Sequence, residues 1–259
     1  MLSEFMTHLP VSFGFLQDLV HSPSGADIGH AVLRWTHFVA GITWIGLLYF
    51  FNVVNVQLQK SMDADTKKKV NPELLSRTLW YFRWGAIVTV LAGFTYYAMY
   101  ILSADARNAG LNPWTYLGIW LVIVLVTYAI IYGLYQVPAL TKDGRVLAVV
   151  IAIVIIAFTV AVVYILGNAG GEGGRPFLGN KSVSIGIGGG YGIMMMLNVW
   201  GIIWRVQKRA IAAFKGEGDA PSPADARKAF LASRTNAWLS LPMLFFMGTS
   251  HGDWILFGK

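Results

Sequence analysis

The sequence predicts an all-α polytopic membrane protein, a bundle of about six transmembrane helices. Hydrophobic residues make up 56% of the 259 residues, and charged residues only 13%. Several apolar runs reach about 20 residues, the length that crosses the hydrocarbon layer as a helix. Positive residues lie mostly in alternate loops, as the positive-inside rule requires. The predicted spans are residues 30–58, 79–103, 113–138, 146–167, 182–208 and 235–256.

Most of the Lys and Arg residues behind the net charge of +7 lie in loops that flank the membrane. They do not indicate a nucleic-acid partner, because no basic fold with interleaved aromatic residues carries them. Fourteen of the 20 Lys and Arg residues lie in the loops 59–78, 139–145 and 205–234. The opposite side has four, Arg107, Arg175, Lys181 and Lys259. The rule places the richer loops in the cytoplasm, so both termini are expected on the periplasmic side of a bacterial inner membrane.

Residues 1–29 predict an element outside the bundle. Their start lacks the positive region and compact apolar run of a signal peptide. Apolar residues instead recur at helical spacing, so we expect an interfacial amphipathic helix on the outer surface, interrupted at Pro10. Residues 30–259 then form one transmembrane domain in the lipid bilayer.

One face of the first span carries a polar stripe. Its spacings of three and four residues follow the helical repeat. Ionisable side chains within a span are costly, so they normally face a bundle interior or a cofactor. The stripe consists of His30, Arg34, His37, Gly41, Trp44, Leu48, Asn52 and Asn55.

The absence of cysteine limits the cofactors that the chain can hold. It excludes disulfides, thiolate metal sites and the covalent attachment of a c-type haem within this sequence. Histidine, methionine and carboxylate side chains remain as ligands.

Two histidines are predicted at matched depth in different helices. His37 lies about 10 Å below His30 along the first span, and His251 lies in the last span, which runs outward. Two imidazoles on opposite sides of the iron hold a b-type haem without covalent links. We therefore predict one haem b near the periplasmic side, with His37 and His251 as iron ligands.

The neighbouring residues have predicted roles around this haem. His30 and Arg34 are expected beside the haem or its propionates, and Arg175 and Lys181 are further positive residues toward the outer side. The small and aromatic residues of the stripe that would accommodate the ring are Gly41 and Trp44.

Alternative interpretations stay open from the sequence. The three histidines could be interfacial residues without a ligand, or His30, His37 and His251 could hold a metal ion. Weaker candidate ligands are His8, His21 and the methionines 194–196. The glycine pairs 186/190 and 188/192 in the fifth span allow close approach of another helix or of a flat cofactor, and helix packing is the more common use.

Three segments resemble the membrane domain of PuuD-type urate oxidases, also called urate hydroxylases. They are RWTHFVAGITWIGLLYFFN (34–52), LNVWGIIWRVQK (197–208) and SRTNAWLSLPMLFFMGTSH (233–251). His37 and His251 match histidines of the family motifs. The sequence departs from the family at Trp80 and Gly85, where the family has His and Glu, and at residues 234–236, where the family has a His.

The resemblance implies a membrane oxidoreductase function. In the family a multi-helix membrane domain precedes a periplasmic cytochrome c domain, which this sequence is expected to lack. We therefore expect an electron-transfer protein that exchanges electrons with a cytochrome c or a quinol. The alternatives are a urate-oxidising subunit that uses a separate cytochrome c, and a cofactor-free transporter or structural subunit of a respiratory complex.

Overall fold

The structure is a computed structural model that describes residues 24–168, 178–251 and 255–257. The amphipathic segment predicted before residue 24 lies outside these residues. The prediction of an all-α bundle is confirmed. The helices of the described residues are α1 Gly25–Ser61, α2 Ala64–Asn108, α3 Pro113–Leu134, α4 Pro138–Lys142, α5 Gly144–Gly167, α6 Asn180–Lys215 and α7 Pro223–Thr249.

Five of these helices, α1, α2, α3, α5 and α6, are long and apolar enough to cross a membrane. The sixth predicted span corresponds to α7, which has 27 residues. Within the described residues α7 does not reach the apolarity of the other five, because Arg234, Asn236 and Ser240 lie along it. Asn236 and Ser240 are buried inside the bundle, so their polarity faces protein and not lipid.

Local capping determines where the long helices begin. Ser24 and Asp27 form a reciprocal capping box, so α1 begins at Gly25, before the predicted residue 30. The Asp63 carboxylate accepts from the backbone N–H and the hydroxyl of Thr66, and these bonds hold the Asp63 pKa below its usual value. This cap starts α2 at Ala64, well before the predicted residue 79. Ser222 caps α7 in the same way, as the Ser-Pro sequence indicates.

The glycine-rich helix α6 is the centre of the bundle. In its apolar stretch 72% of the residues are buried, against 17% in α1, which lies at the edge. Helix α6 packs against α2, α3, α5 and α7, and α1 packs mainly along α2. Bulky residues on the outer face of α1, such as Trp35 and Ile42, are exposed and available to lipid.

A buried amide pair joins the two most closely packed helices of the bundle centre. Asn198 Nδ2 of α6 donates to Asn236 Oδ1 of α7 at 2.9 Å. Asn236 Nδ2 in turn donates to the Met195 carbonyl at 2.9 Å. Both side chains are buried where water cannot reach them. The two hydrogen bonds therefore satisfy polar groups that water could not.

We expect Asn236→Ala to destabilise the fold by about 1–2 kcal/mol, because it removes both bonds and leaves the Asn198 amide with one partner fewer. Unfolding in mixed detergent micelles measures the change. Leu241→Ala, at an exposed position of the same helix, is the control and should have a smaller effect. Equal stability of Asn236→Ala and the wild-type protein would contradict this account of α6–α7 packing.

Three helices of the described part of the chain contain a π-helical segment. These segments are Phe50–Val54 in α1, Tyr97–Leu102 in α2 and Val199–Ile203 in α6. Such segments are rare and occur frequently at functional sites. The periodicity of the sequence did not predict them.

The predicted last span extends too far toward the carboxyl terminus. We predicted residues 235–256, but α7 ends at Thr249. The hydroxyls of Thr249 and Ser250 donate to the carbonyls of Phe246 and Met247, and such local bonds compete with continuation of the helix. His251 therefore lies just beyond the last turn of α7.

Asn180, at the start of α6, holds the chain around the end of α7. Its Nδ2 donates to the Thr249 carbonyl at 3.0 Å. Its Oδ1 accepts from the backbone N–H groups of Leu256 and Phe257 at 2.9 and 3.1 Å. Asn180 thus ties the end of α7 and residues 256 and 257 to the start of α6.

Candidate cofactor site

A cavity of about 400 Å³ lies between α1, α2, α6 and α7. This volume falls within the range of pockets that hold small molecules and cofactors. Its walls are largely apolar and aromatic. Five of the six residues that the sequence suggested for cofactor binding line it, namely Arg34, His37, Gly41, Trp44 and His251.

The His37 ring is held in one tautomer. Its Nδ1 lies 2.8 Å from the Thr89 carbonyl oxygen of α2. A carbonyl oxygen only accepts, so Nδ1 carries the proton and donates it. In the neutral imidazole Nε2 then carries no proton, which is the form that binds a metal, and histidine ligands commonly donate their other ring N–H to a carbonyl.

Gly93 makes room for this imidazole. A Cβ atom at Gly93 would lie 2.6 Å from His37 Nδ1 and 2.7 Å from Cε1. Any side chain at this position would push the ring away from α2. The hydrogen bond to Thr89 therefore depends on glycine one helical turn further along α2.

His251 is held in the same tautomer. Ser250 Oγ donates to the Met247 carbonyl at 2.7 Å, so it accepts from His251 Nδ1, which lies 2.7 Å away. The same Nδ1 also lies 3.2 Å from the Met247 carbonyl. In the neutral imidazole of His251, Nε2 is therefore the nitrogen without a proton.

A contact lower in the bundle relates the depths of the two histidines. The Tyr49 hydroxyl of α1 bonds to Ser240 Oγ of α7 at 2.9 Å. His37 precedes Tyr49 by about 18 Å of helix, and Thr249, the last residue of α7, follows Ser240 by about 14 Å in the opposite chain direction. His251 comes two residues later, so both histidines lie toward the same end of the bundle.

Polar groups in the cavity wall lack protein partners. Trp44 Nε1 and the Tyr96 hydroxyl are buried and have no hydrogen-bond partner among the described residues. Arg34 forms no ion pair with a carboxylate in the part of the chain that the structure describes. A bound molecule with acceptor atoms and negative charge would satisfy these groups.

Of the six residues suggested for cofactor binding, His30 does not line the cavity. Its ring stacks on Tyr96 with 4.8 Å between ring centroids, and it also contacts Tyr100. His30 thus contacts Tyr96, which does line the cavity.

The structure also places the alternative ligands. No group of three His, Cys, Asp or Glu residues that could hold a metal ion occurs among the described residues, which include His30, His37 and His251. Met194 and Met195 are buried in the core and do not line the cavity. His8, His21 and Arg175 lie outside the described residues, and Lys181 does not line the cavity.

The glycine pairs of α6 serve helix packing. A Cβ at Gly186 would meet Leu166 of α5, and one at Gly190 would meet the Phe158 ring. A Cβ at Gly188 would meet the Met243 carbonyl of α7 at 3.1 Å. The cavity itself is lined by Gly189 and Gly192, so the glycine face also contributes to its wall.

The family model of the urate oxidase N-terminal domain matches residues 64–257. The chain belongs to the urate oxidase N-terminal family. The resemblance noted in the sequence is thereby confirmed. No curated protein and no solved structure matches the chain.

The family match covers only part of the site. In this urate oxidase N-terminal protein, His251 and Gly93 lie inside the matched residues, whereas Arg34 and His37 lie in α1, before residue 64. The stripe on α1 was found from helical spacing, and the structure brings it against the matched part of the chain.

Sequence reasoning missed the residues that position the histidines. Thr89 acts through its backbone carbonyl, which no side-chain pattern reveals. Gly93 stands in an ordinary apolar run, AGFTYY, and Asn180 stands before a long span. An unexplained glycine in the interior of a span was the one available signal.

Proposed function

We propose that this protein is an integral membrane electron-transfer protein that binds one b-type haem through His37 and His251, near the periplasmic side. One observation carries the proposal. Two imidazoles, one from α1 and one from just beyond the end of α7, line the same apolar cavity, and each donates its Nδ1 proton to a protein oxygen. This arrangement leaves both Nε2 atoms as ligands.

The other cavity residues fit the same cofactor. Arg34 and the Tyr96 hydroxyl supply a positive charge and a donor for propionates, and the aromatic walls suit a flat macrocycle. When bound, haem supplies one-electron chemistry. The residues of this chain would hold both imidazoles in the tautomer that leaves Nε2 for the iron.

The electron partners proposed here are a cytochrome c or a quinol. These 259 residues contain no cysteine, so they cannot themselves hold a covalently attached haem. Two imidazole ligands would leave the iron no open position for a substrate, and the pocket is largely apolar. Both features favour electron transfer as the function of a bound haem.

A second candidate function is urate oxidation with a separate cytochrome c, and the family match favours it. Membranes that contain the chain and an added cytochrome c should then reduce the cytochrome when urate is supplied. The His37→Ala variant provides the matched control. No urate-dependent reduction in wild-type membranes would exclude this function under these conditions.

The electron-transfer proposal is tested by absorption spectroscopy of the detergent-purified protein, first oxidised and then reduced with dithionite. We expect a Soret band and, after reduction, the sharp visible bands of a low-spin b-type haem, at about one haem per chain. A protein without a Soret band that copurifies with other subunits would overturn the proposal in favour of a structural role. A cofactor-free protein that moves solutes would overturn it in favour of transport.

A further inference from the structure

A second cavity, of about 270 Å³, lies at the other end of the bundle. It is enclosed by α1, α2, α6 and α7, and Asn52 of α1 is one of its lining residues. Asn52 follows His37 by about 22 Å of helix, so this cavity is separate from the cofactor site. We call it the inner cavity.

Amide side chains form the polar wall of the inner cavity. Gln59 and Asn71 bond reciprocally at 2.7 and 3.1 Å, and Gln59 also donates to Asn55 Oδ1. Asn52 Nδ2 donates to Ser233 Oγ at 3.0 Å. This network ties α1 to α2 and α7 and fixes the positions of the amides.

Gln207 of α6 completes the polar wall. Its side-chain amide lines the cavity and forms no hydrogen bond within the described residues. It therefore presents a donor and an acceptor that the network does not use. A ligand in the cavity can take both.

The residues that line the inner cavity favour an uncharged ligand. No Lys, Arg, Asp or Glu is among the described residues that line it. An anion or cation buried there would have no counter-charge, which is costly. Aromatic rings line the remaining walls, including Phe51 and Phe82, whose centroids lie 5.3 Å apart.

Two of the three π-helical segments contribute to this cavity. Asn52 lies in the segment of α1, and Ile203 ends the segment of α6. A π-helical segment rotates the residues that follow it, so a side chain such as Gln207 faces a direction that a regular helix would not give it. Two such segments around one cavity point to a binding function.

We infer that the inner cavity binds the head group of a quinone. A quinone is neutral and planar, its two carbonyl oxygens accept hydrogen bonds from amide N–H groups, and its tail is apolar. Phe214 and Phe230, which also line the cavity, are 37% and 43% exposed and give its rim an apolar surface for that tail. The choice of a quinone among neutral planar molecules rests on the proposed redox function, whereas the binding of a neutral ligand does not.

Photolabelling tests this inference. The full-length protein in lipid nanodiscs is illuminated with a short-chain azidoquinone, and the labelled peptides are identified by mass spectrometry. We expect saturable labelling of peptides that line the inner cavity, and competition by unlabelled decylubiquinone.

Two variants and a control locate the binding site. Ala226→Trp adds bulk at an exposed residue of the cavity wall and should reduce specific labelling at least about tenfold, and Gln207→Leu should reduce it about tenfold. Ala224→Trp, exposed on the same helix but not in the wall, should label like the wild-type protein. Labelling that does not saturate, or equal labelling of Ala226→Trp and Ala224→Trp, would overturn the inference.

The haem spectrum of the same samples separates this inference from the proposed function. Specific labelling without a haem spectrum would support the inner cavity and overturn the haem proposal. A haem spectrum without specific labelling would do the reverse.

Discussion

Replacing His37 or His251 with alanine is expected to remove the low-spin haem spectrum and to lower the haem-to-protein ratio at least about tenfold. Each variant would delete one of the two proposed haem ligands that line the cavity between α1 and α7. The remaining histidine cannot supply both faces of the iron, so haem that stays bound should become high-spin. Absorption spectra and extracted haem content of the purified variants measure the effect.

His30→Ala is the matched control for these variants. His30 lies on the same face of α1, but its ring contacts Tyr96 and Tyr100 and does not line the cavity. We expect it to retain the low-spin spectrum. A wild-type spectrum in His37→Ala or His251→Ala would contradict the assignment of that residue, and loss of haem only in His30→Ala would move the site outward along α1.

Gly93→Ala should lower haem retention by about 10- to 100-fold, the effect expected when the orienting partner of a metal ligand is lost. The new methyl carbon would lie 2.6 Å from His37 Nδ1, so the ring must move and give up its hydrogen bond to the Thr89 carbonyl. Haem content of the purified variant and the thermal stability of the protein are measured together, to separate ligand displacement from unfolding.

The control for this variant is Gly118→Ala in α3, where an added Cβ has no neighbour within 4 Å. It should keep the haem and stabilise the helix slightly, because alanine is the better helix former. If Gly93→Ala folds and binds haem like Gly118→Ala, the close approach of Gly93 to His37 has no functional role.

The helical bundle and the residues that α1 contributes to the site could be predicted from the sequence. Long apolar runs predicted the helices that the structure contains, because helix length in a membrane is set by the thickness of the hydrocarbon layer. Helical spacing placed Arg34, His37, Gly41 and Trp44 on one face, and alternating spans placed His251 at matching depth. The structure places these residues around a single cavity.

Other features depend on tertiary packing and were not predictable from local patterns. The approach of His37 to Thr89 depends on the rotation of α2 about its own axis, which no pattern within α1 specifies. The end of α7 at Thr249 follows from hydroxyl-to-carbonyl bonds that hydropathy does not detect. The full length of α2 was missed because its polar first third, residues 64–78, precedes the predicted span.

The inner cavity was also not predictable from local sequence patterns. The sequence showed Asn52 and Asn55 on the polar stripe, but their partners Asn71 and Ser233 lie in α2 and α7. Only the packing of these helices shows that the amides enclose a space without charged side chains.

Low-temperature electron paramagnetic resonance of the oxidised, purified protein tests the central claim most directly, because the signal of ferric haem reports its axial ligands. Coordination by His37 and His251 predicts a low-spin signal typical of two imidazoles, lost in either alanine variant. A wild-type protein that gives only a high-spin signal, or no haem signal at all, would contradict it.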